Sequence, residues 1–442
     1  MEHPGRSRAS DFFFVLIGIL LLGLLVHMIA SRYRAVDPSD LEYFYLASWA
    51  WLHSISPYAH FLHNFAMPGM HHTSEILARN PYPPLCAMIF APLAYLPAHI
   101  ALEILLYAQF AILLAGIWRI SEVILPALRA PHRLLLIGVT ALAGSLNWLL
   151  YAEQPSTLFI GLLFLFGAEA MRRRWITAGI LAILIGIKVT FFLPVAGLYL
   201  WNRKVGMLAG VVVAVVALNL AACVHTGLAR TLHDYASVTT SVTSSYNRPS
   251  ALGYMVPDVT LNPASPLHPL LQKMGEANCY QLQYSFMFSA WTWSDALARI
   301  LAWAASLISL AVLAVVARKR RSDTQSDTYY ESFLFSILCT LTLLIIYHCR
   351  YDLMVLVPGV LSSLCILRRN PRSRLALATF LLGGFLAYGI RFFIINSVLK
   401  HLVLPYGWVI LIPFPTYFLI GLFMMQLALL ARYEKQSEKQ GR

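Results

Sequence analysis

Charge is scarce in this chain. Only 12% of its 442 residues are Asp, Glu, Lys or Arg, and 20 acidic residues face 33 basic ones. With 59% apolar residues and a mean hydropathy of +0.67, a soluble core could not bury its apolar surface without also exposing much of it, so a water-soluble protein is excluded. Cysteine is sparse as well. Cys86, Cys223, Cys279, Cys339, Cys349 and Cys365 are scattered with no Cys-x-x-Cys pair, which implies neither a disulfide framework nor a thiolate zinc site. Two further absences matter. No small-residue cleavage motif follows the first apolar run, so Phe12–Ala30 reads as a retained signal anchor. The two halves of the chain do not echo each other, which argues against the repeat architecture common in transporters.

What is present is a succession of apolar stretches near the length needed to cross a bilayer. After Phe12–Ala30 come Ala101–Trp118, Leu134–Leu150, Thr157–Met171, Trp175–Ile187, Val189–Trp201 and Met207–Val224. Ala296–Ala317, Phe333–Tyr347, Met354–Leu367, Leu375–Ile395 and Leu402–Leu430 complete a set of about twelve transmembrane helices. The pattern predicts an all-α integral membrane protein, a single multi-pass domain over residues 1–442. Short loops rich in Lys and Arg stay cytoplasmic, and Arg172, Arg173, Arg174, Arg203, Lys204, the Arg318–Arg321 cluster, Arg368, Arg369 and Arg374 fall on one side with both termini. Both termini are therefore expected in the cytoplasm, and the net charge of +13 is a topology signal with no implication of nucleic acid.

Residues 31–100 and 225–287 then become outer loops, the second polar and turn-rich without strong periodicity. Leu85–Leu96, interrupted by Pro92 and closed by Pro97, reads as a re-entrant or interfacial helix. Counted as a span, it would put the downstream arginines on the wrong face.

Acids stand out after the anchor, where Asp37, Asp40 and Glu42 lie beside Tyr43, Phe44, Tyr45 and Trp49. A carboxylate there suits a general base that deprotonates an alcohol presented to a lipid-borne substrate. Asp40, on the first turn of an expected interfacial helix, is the first choice and Asp37 the alternate; either also fits a helix cap. Glu42 is expected to be solvated. Further along, Trp175–Ile187 and Val189–Trp201 form a tight hairpin whose arms, each about 13 residues or roughly 20 Å, suit a thinned or indented membrane. Lys188 at its tip is expected inside a cavity, where its ammonium would meet a phosphate or else snorkel to the interface. His348 and Arg350 join it as phosphate candidates, with Arg79 behind them; Arg350 pairing with Asp352 is the competing reading. His60 and His63, or His71 and His72 with Glu75, match no known ligand spacing, and no metal is expected.

The runs Asp40-Leu-Glu-Tyr-Phe-Tyr45-Leu-Ala47, Ser56-Pro57-Tyr58, Tyr82-Pro83-Pro84-Leu85, Ala91-Pro92-Leu93 and Leu96-Pro97 resemble, in order and spacing, the first third of glycosyltransferase family 87. Gln154 resembles the family's Gly-Gln step, with Glu153 in place of the glycine. Ala178-Gly179 and Gly186-Ile187-Lys188 resemble its hairpin, and His348-Cys349-Arg350-Tyr351-Asp352 its late Tyr-Asp element. The resemblance implies a GT-C-like helical bundle in a bacterial inner membrane, with the active site on the outer face. It implies transfer of a hexose, mannose in the first instance, from a polyprenyl-phosphate donor to a lipid-linked or envelope glycan acceptor. Asp40 would then be the base of an inverting displacement, and Lys188, His348, Arg350 and Arg79 would hold the donor phosphate. Tyr45, Tyr82, Gln154, Tyr351 and Asp352 would line the sugar pocket, with the lipid-linked donor a co-substrate and no cofactor required. The rival reading, a lipid or glycolipid flippase, sits less well with polar candidates gathered on one side of the membrane.

Overall fold

The computed structural model describes residues 4–33, 40–59, 82–141, 143, 155–246, 284, 287–288, 295–318, 328–346, 350–388 and 414–440. Every regular element among them is helical, the form in which a chain in hydrocarbon satisfies its own backbone. They fall into two compact units. One comprises Met1–Glu122 with Ala127–Ser244, the other Val123–Pro126 with Ser245–Arg442.

In the first unit, small residues decide how closely helices approach. Helix α1 (Pro4–Tyr33) precedes α2 (Asp40–Leu52), α3 (Leu85–Phe90), α4 (Ala98–Ile124) and α5 (Ala130–Ala141). α1 packs on α5 through two glycines: a Cβ on Gly18 would lie 2.8 Å from Leu134 Cγ, and one on Gly138 2.9 Å from Leu21 Cβ. α4 meets α6 (Ser156–Met171) even more tightly. A Cβ on Gly116 would lie 2.5 Å from the Gly161 carbonyl oxygen, and one on Gly161 2.6 Å from the Leu113 nitrogen.

The C-terminal ends of α4 and α6 are tied by charge. Arg172 reaches Glu122 at 2.5 Å, and buried Glu169 lies 3.4 Å from Arg119, 3.5 Å from Arg172 and 3.4 Å from Arg174. The two helices therefore run parallel, with Gly161 packed against Leu113, Gly116 against Gly161 and Phe164, and the Arg172 side chain reaching Glu122 at their C-terminal ends. Arg172 and Arg174, legible in the sequence only as a topology signal, also close this seam.

The hairpin after α6 consists of α7 (Trp175–Ile185), a 3-10 turn Val189–Phe191 and α8 (Phe192–Trp201). Gly186 seats it on α9 (Val205–Thr226), where a Cβ would lie 2.7 Å from Val215 Cγ2. Gly227, at φ +90°, then turns the chain into α10 (Leu228–Tyr246). The expectation of an aperiodic loop from residue 225 is corrected here: its first part is a helix. Thr231, Tyr235 and Thr239 occupy its packed side, so the period of 3.6 is carried by polar residues, and Thr226 and Thr231 share a hydroxyl hydrogen bond of 2.8 Å.

The second unit comprises α11 (Asp295–Arg318), α12 (Thr328–Ile345), a 3-10 turn Arg350–Leu356, α13 (Val357–Arg369), α14 (Arg374–Tyr388) and α15 (Phe414–Gln440). α12 is buried along nearly its whole length. Its Ser332, Ser336 and Thr340 hydroxyls each donate to the carbonyl one turn back, and Thr340 also donates to Gln426 Oε1 of α15 at 2.9 Å.

Five helical stretches among the described residues are long and apolar enough to cross a membrane: Ser10–Ser31, Ala98–Ile124, Val205–Thr226, Ala296–Ala317 and Thr328–Ile345. The other expected spans correspond to shorter apolar helices or run into residues outside the described set. α3 and the 3-10 turn Ala91–Tyr95 that follows it break at Pro92, and neither is long enough to span.

Candidate functional site

The candidate site grows from two helix starts in the first unit. α2 opens at Asp40 and is buried from Leu41 to Ser48. Glu42 was expected to be solvated; it is only 3% exposed, because α2 packs against α3, the following 3-10 turn and α9, leaving no water-facing side for it. One turn into α2, Tyr43 and Phe44 meet the ring of Tyr82 at 6.2 and 4.8 Å between centroids. Tyr82 also stacks on Phe159, in the first turn of α6, at 6.3 Å. One aromatic ring thus joins the beginning of α2 to the beginning of α6.

The Tyr82-Pro83-Pro84 segment is held by its carbonyls and by one incoming side chain, since prolines donate nothing. Tyr58 donates its hydroxyl to the Tyr82 carbonyl at 2.6 Å. The Leu85 N–H, which opens α3, donates to Asn219 Oδ1 at 2.9 Å. Burial pushes the Tyr43 and Tyr58 hydroxyls well above the ordinary tyrosine range, and the neighbouring Tyr235 raises both further. Both remain neutral hydrogen-bonding groups at physiological pH.

Lys188 reaches the start of α6 from the hairpin tip. It is half-buried, donates its Nζ to Ser156 Oγ, and lies 5.2 Å from the centroid of the Phe191 ring. α6 begins after Pro155 with no side chain capping it. Its first N–H groups and the positive end of its dipole therefore act beside the ammonium, an arrangement that favours an anion.

The other sequence-derived candidates are distributed as follows. Asp40 is the first residue of α2, with its side chain outside the described set. Tyr45 donates its hydroxyl to the Leu96 carbonyl at 2.9 Å, and its ring lines an apolar crevice with Phe90, Leu93 and Leu105. Asp352 is 2% exposed in the 3-10 turn before α13, in the second unit; Arg350 and Tyr351 share that turn, their side chains outside the described set. Asp37, Arg79, Gln154, His348 and the histidines at 60, 63, 71 and 72 lie outside the described residues. Among the described residues no three His, Cys, Asp or Glu side chains converge as metal ligands. Sequence reasoning missed Ser156 and Asn219. The signal for Ser156 was present in Pro155-Ser156-Thr157 opening an apolar run; Asn219 gave none beyond being an amide in a long apolar helix.

Long apolar helices whose exposed positions carry Val213, Val224, Ile300, Trp303 and Leu307 define a helical membrane protein. Within that class the chain belongs to glycosyltransferase family 87, whose family model matches residues 80–347. It is a glycosyltransferase. The match takes in Tyr82, the start of α6 and the hairpin with Lys188; Asp40 precedes it and His348 follows it. Comparison with curated proteins and with solved structures gives no match.

Proposed function

We propose that the protein transfers a hexose, mannose in the first instance, from a polyprenyl-phosphate donor to a lipid-linked or envelope glycan at the outer face of a bacterial inner membrane. The observation that carries this reading is the meeting of Lys188 with Ser156 at the uncapped start of α6. A phosphate seated there would be neutralised by an ammonium and a helix dipole without a metal. Across the Tyr82 ring stands the start of α2, where Asp40 would accept the proton as the acceptor hydroxyl attacks the anomeric carbon. The bond to the phosphate breaks as the new glycosidic bond forms, so a single displacement inverts that carbon. Polyprenyl phosphate leaves with its charge held by Lys188.

His348, Arg350 and Arg79 remain candidates for further phosphate contacts, and Gln154, Tyr351 and Asp352 for sugar contacts. The arginine-rich ends of α4 and α6 are assigned to the cytoplasm, and the GT-C-like bundle of about twelve spans belongs to this same reading. The test is release of polyprenyl phosphate from polyprenyl phosphomannose by the full chain in nanodiscs supplied with envelope lipids. Turnover is expected to vanish in Asp40→Asn and to persist in Asp37→Asn; undiminished turnover in Asp40→Asn removes the proposed base.

A further inference from the structure

α6 and α8 end in the same way. In each, the second residue past the helix takes a left-handed backbone, Arg173 at φ +63° and Arg203 at φ +56°. The next N–H then reaches back five residues, from Arg174 to the Glu169 carbonyl at 2.9 Å and from Lys204 to the Tyr199 carbonyl at 2.8 Å. Glycine is the usual occupant of that left-handed position. Both turns carry arginine there and a second cation directly after it, so the turn geometry does not account for the residues chosen. The two turns sit together. Arg173 donates its Nη1 to Asn202 Oδ1, and the Arg173 and Lys204 charges lie 5.8 and 5.6 Å from the centroid of the Trp175 ring. Compensation is partial: Arg174 lies 3.4 Å from Glu169, a carboxylate already within reach of Arg119 and Arg172. Arg174 and Lys204 also precede α7 and α9 directly, at the end of a helix dipole that disfavours cations and favours an anion. Beside these charges the surface is apolar yet uncovered, with Ile176, Ile180 and Val205 exposed by 80%, 58% and 57%.

We propose that these two turns bind the phosphate of an anionic membrane lipid of the phosphatidylglycerol class, with Trp175 at the level of the headgroups. The excess of cations selects an anion. The exposed apolar residues next to them select one that carries acyl chains, because a soluble anion would gain nothing from Ile176 and Val205. The guanidinium groups offer paired donors to phosphate oxygens, Lys204 adds a point charge, and a tryptophan suits the membrane interface. The site lies at the open end of the hairpin, away from Lys188, and does not rest on the donor reading.

The experiment measures binding of phosphatidylglycerol and phosphatidylcholine, each with a fluorescent acyl chain, to the full-length protein in neutral detergent micelles, with thermal unfolding followed in parallel. The parent is expected to prefer phosphatidylglycerol. Arg203→Gln combined with Lys204→Gln is expected to weaken that binding at least about tenfold, since two charges that face the anion are removed. Arg372→Gln combined with Arg374→Gln removes two exposed cations from the turn between α13 and α14 and is expected to leave the affinity unchanged. Arg174→Gln carries the same test, with a loss of about threefold or more, if the first double variant does not fold. Equal weakening in the two double variants, no weakening in either, or equal binding of both lipids by the parent overturns the site. Displacement of the lipid by inorganic phosphate, beyond that caused by chloride at the same ionic strength, also overturns it by marking a site for a soluble anion.

Discussion

Lys188 Nζ and Ser156 Oγ are hydrogen-bonded across 32 positions of sequence, the first at a hairpin tip and the second on the opening turn of a helix. The contact makes the hairpin useful: arms of 11 and 10 residues end where α6 begins, so the ammonium arrives at a helix start. Ser156 is then a positioning residue for the cation. Ser156→Ala is expected to lower kcat/KM about 3–10-fold, corresponding to the roughly 1 kcal/mol of one hydrogen bond, with the loss appearing as a raised donor KM at unchanged kcat. A change in thermal stability with kinetics untouched would assign it to packing alone.

The seam between α4 and α6 tolerates no side chain at its glycines. Gly161→Ala would bring a Cβ to 2.6–2.7 Å from the backbone of Ile112 and Leu113, and backbone cannot swing aside as a flexible side chain can. Overpacking of this kind costs about 1–3 kcal/mol. Thermal unfolding in detergent should show a clear drop for Gly161→Ala and little for Gly210→Ala, where nothing lies within 4 Å.

The charged end of the same seam predicts a second stability effect. Glu169 is buried and within salt-bridge distance of three arginines, of which Arg119 and Arg174 are partly exposed. Glu169→Gln should destabilise by about 1–3 kcal/mol, less than the loss of a fully buried pair. Because the ends of α4 and α6 lie far from Lys188 along both helices, turnover per folded molecule is expected to stay near that of the parent.

Tyr43 and Tyr58 give the fold an alkaline limit. Their hydroxyls titrate well above 10.0, the ordinary tyrosine value, so above that pH the folded state holds protons that the unfolded chain releases. The contribution of these two hydroxyls to stability is therefore flat below about pH 10 and declines above it as the pH rises toward the folded-state values. Tyr58→Phe removes the 2.6 Å bond to the Tyr82 carbonyl and should cost about 1 kcal/mol at neutral pH while blunting the alkaline decline. Unfolding scans from neutral to strongly alkaline pH measure both effects.

How much of this was legible in the sequence depended on whether polarity and burial agreed. Long apolar runs announced α1, α4, α9, α11 and α12, and the lysine at the hairpin tip was visible because a cation interrupts two apolar arms. Where polar residues face inward, the sequence misled. Glu42 was read as solvated, although α2 is enclosed by neighbouring elements, and α10 was read as loop because threonines and a tyrosine form its packed side. The register between α4 and α6 was not legible either, because Gly116 and Gly161 set it through close backbone contact and no local pattern reveals it.

The central claim is that Lys188 holds the lipid phosphate. Its most direct test is the affinity of the full-length protein in nanodiscs for polyprenyl phosphate, with Lys188→Met beside the parent at several salt concentrations. The account predicts at least about a tenfold loss in Lys188→Met, about 1.4 kcal/mol, and a weaker salt dependence than the parent shows. Equal affinity and equal salt dependence in the two proteins would contradict it.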